Sequence, residues 1–191
     1  MKYVTSFEKI LLASILCFEV CFSISDEAKC TIKIKNKNKI DIDESLNGLQ
    51  QDDPALIEVV RNLLIQPADQ DVPYNFSGPE PGLMGQFGQV EDLMDILGKQ
   101  KEGFFVEAGA FDGEEFSNSL YFEMHKNWNG LLVEPNPDAL AQLLTKNRKA
   151  HIFPGCLSTK TTPEIVEFDA AGKFQFKFAK IFGLRLSKYV L

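Results

Sequence analysis

The chain has 191 residues, 45% hydrophobic and 25% charged, with a formal net charge of −7. That composition is globular and excludes a collagen-like chain, a coiled-coil array and a wholly disordered one. The acidic balance disfavours nucleic acid as a partner. The charge is uneven: residues 172–191 carry Lys173, Lys177, Lys180, Arg185 and Lys188 and no acid, which leaves −12 on the stretch 26–171.

Residues 1–25 have the layout of a secretory signal. Lys2 and Lys9 precede a nine-residue uncharged run, Ile10 to Phe18, and Ser23 and Ser25 stand at the −3 and −1 positions of a cut before Asp26. Glu19 interrupts the run well short of the roughly 20 apolar residues of a membrane span. A signal-anchor extended through Val20 to Ile24, or a buried N-terminal helix, are the other readings. Cys17 and Cys21 fall inside the segment that cleavage removes. Cys30 and Cys156 then remain as an even pair, compatible with one disulfide in an oxidising lumen and equally with two buried thiols. Asn75-Phe76-Ser77 is a glycosylation sequon, with Asn75 as the acceptor if the chain enters that compartment.

Residues 26–53 read as a polar linker, with Lys/Asn-rich and then acidic stretches and no periodicity. The segment 54–102 reads as a helical extension. Asp53 and Pro54 form an N-cap and first-turn pair, and Leu56, Ile57, Val59, Val60, Leu63 and Leu64 an apolar face ended by Pro67. The Pro/Gly-rich stretch 66–85 is a loop. A second helix is predicted over 87–100, with Phe87, Val90, Leu93, Met94 and Leu97 in register.

From Gly103 to residue 171 the pattern alternates. Strands are predicted at 103–107, 130–134 and 150–153, with a fourth at 165–168. Helices are predicted at 114–125 and 137–147. Strands alternating with helices imply an α/β fold with a parallel sheet and right-handed crossovers.

The first strand runs into Glu107-Ala108-Gly109-Ala110-Phe111-Asp112-Gly113. Glycines let such a turn lie close against a ligand, and a following helix start aims free N–H groups at it. The second strand ends in Glu134, 21 residues after Gly113, where a carboxylate can accept from both ribose hydroxyls of a nucleoside. The spacing is not the G-x-G-x-x-G of dinucleotide enzymes, and a tight turn without ligand accounts for the two glycines about as well.

Phe104 to Glu114, Ser117 to Glu123 and Asn127 to Pro135 together resemble the FkbM-type methyltransferase domain, and more narrowly the Star-like proteins of arthropods. Gln51 to Ile57, Leu144 to Ala150 and Cys156-Leu157-Ser158 are similar to the Star-like pattern too, so the resemblance spans about 50–170. It implies a Rossmann-like S-adenosylmethionine-dependent methyltransferase fold. In that fold Glu107, Gly109, Ala110, Asp112 and Gly113 would shape the methionine and ribose side of a cofactor site. Glu134 would hold the ribose, and Cys156 and Leu157 would lie on the adenine side. For the Star-like branch it implies instead the trafficking of growth-factor precursors between endoplasmic reticulum, Golgi and endosomes, on the membrane or in the lumen.

The chain departs from the family after the fourth strand, where no further Asp-x-Glu-Gly-type strand end occurs, so the sheet is expected to be incomplete. The tail alternates like a strand over 174–181. Over 182–191 it could form a basic amphipathic helix that contacts a membrane surface. His125 and His151 have no Cys or acid at metal-ligand spacing. Glu114 and Glu115 are expected in the first turn of a helix, favourably placed against its dipole, and Trp128 against the sheet edge.

Overall fold

The computed structural model describes residues 48–78, 85, 87–98, 100–158, 160–169 and 178–184. Both the signal-like segment and Cys30 lie outside them. No helix among the described residues is long and apolar enough to cross a membrane.

Helix α1, Pro54–Leu63, starts as predicted. Asp53 accepts the Ala55 N–H, and Pro54 occupies a position where a missing N–H costs nothing. Leu56, Ile57, Val60 and Leu63 are its buried stripe. The helix stops before Pro67 because Ile65 turns outward into an antiparallel bridge with Ile152. Helix α2, Gln89–Leu97, is shorter than predicted. Val90 is buried and Leu93, Met94 and Leu97 pack beside it. Phe87 precedes the helix and is exposed rather than in its apolar register.

Strands β1 (Phe104–Ala108), β2 (Asn129–Val133) and β3 (His151–Phe153) form a parallel sheet in the order β1-β2-β3. Helix α3, Leu120–Lys126, connects the first pair and α4, Pro137–Leu143, the second. Alternation along β1 sends Phe104, Val106 and Ala108 to one face, where they pack with Leu131, Val133, Phe153 and the α1 stripe. Phe105, Leu132 and Ile152 point the other way, into a core closed by Val90, Phe122, Trp128, Leu143 and Ala150. The chain is therefore mixed α/β, with the small parallel sheet covered on both faces. Trp128 is buried against Gly103 and Phe122.

Several expectations change, and the helix predicted over 137–147 ends at Leu143. The helix predicted over 114–125 begins only at Leu120. Its first half is a turn, because Asp112 Oδ1 takes the Glu114 and Glu115 N–H groups and Phe116 sits at φ +59°. The fourth predicted strand, observed as β5 (Glu164–Asp169), does not extend the parallel sheet. It pairs antiparallel with β6 (Phe178–Leu184) in a second sheet of order β4-β6-β5, where β4 is Cys156–Leu157. Only residues 154–163 separate β3 from β5, fewer than the dozen or more of a parallel crossover. Finally, β6 carries the chain as strand through Leu184, where a helix from 182 was one option. Residues 185–191 lie outside the described set.

The polar linker is anchored at its end. Leu49 packs beside the α1 stripe, and Gln51 N–H donates to the Thr161 carbonyl. The loop 66–78 runs along 145–152 as a strap. Ala68 N–H donates to the Arg148 carbonyl, Asn75 N–H to the Lys146 carbonyl and Asn147 Nδ2 to the Pro73 carbonyl.

Candidate functional site

The carboxyl ends of β1 and β2 bring Glu107, Gly109, Ala110, Asp112, Gly113 and Glu134 together. Gly109 (φ +76°) and Gly113 (φ +78°) make the turn, and a side chain at Gly113 would collide with Leu143 Cδ1. Gly109 and Ala110 N–H both donate to the Val133 carbonyl, at 2.9 and 3.1 Å, stitching the turn to the end of β2.

The two carboxylates are buried and engaged. Glu134 Oε2 accepts the Phe111 N–H and Oε1 the Asn136 N–H, each at 2.7 Å. Burial pushes its carboxyl above the ordinary value, against the pull of those two bonds. Glu107 Oε2 accepts from Ser117 Oγ at 2.8 Å and Ser119 Oγ at 2.5 Å, and its Oε1 accepts the Asn118 N–H at 2.7 Å. Ser119 stands at the N-cap of α3 but makes no side-chain cap bond; its hydroxyl serves Glu107 instead.

Three further N–H groups of the turn are also spent internally. Gly113 N–H donates to the Ala110 carbonyl, and Glu114 and Glu115 N–H to Asp112. The sequence led us to expect free amides of a helix start aimed at a ligand. The helix starts further on, and the amides at 109, 110, 111, 113, 114 and 115 each hold another part of the loop.

Behind the turn lies a cationic segment whose role the sequence reading missed. Lys146, Arg148 and Lys149 are all buried. Arg148 pairs with Glu123 at 3.1 Å. It also donates to the Gly113 carbonyl and to Ser117 and Ser119 Oγ. The two serine hydroxyls thus link guanidinium to Glu107. Lys146 Nζ donates to Glu114 at 2.6 Å and Ser77 at 2.9 Å. Glu114 also accepts the Ser77 and Gly78 N–H groups. Burial raises the Glu114 carboxyl, but these bonds outweigh it and hold it below its ordinary value. Its role is therefore to fasten the strap, not to face a helix dipole. Lys149 Nζ reaches the Asp69 and Val72 carbonyls and lies 5.3 Å from the centre of the Tyr74 ring. Burial, then the charge and hydrogen bond of Glu123, push the Tyr74 hydroxyl far above its usual value.

Cys156 and Leu157 form β4, paired in parallel with Gly183 and Leu184, and Cys156 is buried. Asn75 is exposed, and its Nδ2 donates to the Thr145 carbonyl at 3.0 Å. His125 packs on the Tyr121 ring. No group of His, Cys, Asp and Glu suited to a metal ion occurs among the described residues. In comparisons with family models, curated proteins and solved structures, no match to the chain was found.

Proposed function

We propose that the chain is a secretory-pathway protein of the Star-like type. It uses a Rossmann-like, methyltransferase-like scaffold as a binding platform in the trafficking of growth-factor precursors through endoplasmic reticulum, Golgi and endosomes. The observation that carries the non-catalytic part is how far the turn is engaged in its own hydrogen bonds. Glu107 has three internal donors, Glu134 has two, and six loop amides are donated within the chain. S-adenosylmethionine would have to share with the fold carboxylates and loop amides that already serve it. Withdrawing those donors would leave buried carboxylates uncompensated, at a cost of several kcal/mol. The secretory part rests on the signal-like residues 1–25, the sequon at Asn75 and the family resemblance.

A second reading, a methyltransferase with an unassigned acceptor, draws on one observation: a glycine turn and an acidic strand end meet at the carboxyl edge of a parallel sheet, where nucleosides bind in doubly wound folds. Calorimetry separates the two. Titration of the protein with S-adenosylmethionine is expected to give no heat of binding at micromolar ligand. Micromolar affinity that disappears in Glu134→Ala would establish the second reading in place of the first.

A further inference from the structure

Among the described residues, the non-glycine positions at positive φ are Glu102, Phe111, Phe116, Asn127 and Asn147. Asparagine adopts that region readily; a bulky aromatic does so at a cost. Two phenylalanines within one turn both adopt it, Phe111 at +51° and Phe116 at +59°, and both rings face solvent, 46% and 55% exposed. Each ring is left about half exposed, and neither backbone is relaxed. The turn is nevertheless held firmly: Glu134 grips the Phe111 N–H, Asp112 caps the two residues that follow Gly113, and Arg148 holds the Gly113 carbonyl. Strain maintained by so many bonds to display two apolar rings is the signature of a preformed contact surface.

The charge of the turn selects the partner. Asp112, Glu114 and the exposed Glu115 lie in it, against the ammonium of Lys146. We propose that the turn from Phe111 to Phe116 docks a basic, apolar segment of a partner protein, with the rings as anchors and the carboxylates setting the charge preference. An anionic lipid surface would present apolar depth but would meet the acidic turn with like charge.

A fluorescein-labelled peptide of alternating lysine and phenylalanine is the probe, with a glutamate-for-lysine peptide beside it and phosphatidylcholine vesicles with and without phosphatidylserine. The full chain is expected to bind the basic peptide by anisotropy, and the acidic peptide and both vesicles not at all. The double variant Phe111→Gly/Phe116→Gly removes both rings and places the residue that tolerates positive φ. It should bind at least about tenfold more weakly while its Tm stays equal or rises. Glu115→Lys keeps both rings and should weaken the basic peptide severalfold. Equal binding by the double variant, equal binding of the two peptides, no effect of Glu115→Lys, vesicle binding, or no peptide binding at all would each overturn the proposal. The calorimetry above addresses the interior of the turn and this titration its outer surface, so either can fail without the other.

Discussion

Arg148 is the residue on which the loop depends most. Its guanidinium serves Glu123, the Gly113 carbonyl and two serine hydroxyls, and it is 2% exposed. Removing one partner of a buried ion pair strands the other charge, which costs about 3–5 kcal/mol. Arg148→Met is therefore expected to lower unfolding free energy by that amount in urea titrations. Arg148→Lys should recover little of it, because one ammonium cannot span a planar set of acceptors. Glu114 makes a prediction about pH. Its folded-state carboxyl lies below the ordinary 4.5, so the ionised form is favoured by folding. The stability it contributes is present above that value and is lost as pH falls through the lower folded-state value. Wild type should thus exceed Glu114→Gln in stability at neutral pH, with the gap closing in acid below about 4.5. Glu134 runs the other way: its carboxyl is raised by burial, so its contribution falls as pH rises through its titration. A gap that stays constant across the acid limb would refute the assignment to Glu114.

At the scale of elements, α1 was legible and α3 was not, for identifiable reasons. The start of α1 is local: Asp53, Pro54 and an apolar stripe act within one turn of one another. Asp53→Ala is expected to cost about 1 kcal/mol in thermal or urea unfolding, the usual worth of an N-cap. The region before α3 contains good helix formers in Glu114 and Glu115, but distant partners claim Glu114 and Asp112 takes the Glu115 N–H. Glu114 is fixed by Ser77, Gly78 and Lys146, up to 37 residues away in sequence. Those long-range bonds outcompete a helical turn whose own gain is a few tenths of a kcal/mol per pair. The same logic separates β5 from the parallel sheet. Its strand character was visible in Ile165, Val166 and Phe168. Only ten residues, 154–163, separate it from β3, fewer than the dozen or more of a parallel crossover, and it pairs with β6 instead.

At the scale of the whole molecule, the acidic excess of 26–171 acquires a structural meaning. Glu107, Glu123 and Glu134 are interior, and they are matched by interior serines, backbone amides (that of Lys149 among them) and the cation Arg148. In the sequence, the run Lys146-Asn147-Arg148-Lys149 straddles the end of the helix predicted over 137–147. In the fold it is the clasp between the strap 66–78, the glycine turn and α3. A cue was available: three cations in four residues stand directly before the buried strand that starts at His151, where a solvated turn has no reason to hold so much charge against a core. Burial of three long cations in four residues cannot be inferred locally, because their acceptors lie 25 to 80 residues away.

Local chemistry in the chain was enough to set the parallel β1-β2-β3 core, the cap of α1, and the meeting of the glycine turn with Glu134. Each depends on apolar periodicity, a capping side chain or a fixed strand-turn spacing, all of which act over a few residues. Tertiary structure alone decided where the loop carboxylates spend their hydrogen bonds. It also decided that the loop amides turn inward and that Phe111 and Phe116 face solvent on strained backbone. Those outcomes are settled by which distant donors and cations the packed sheet brings within 3 Å of a carboxylate, a competition that no single stretch of sequence contains.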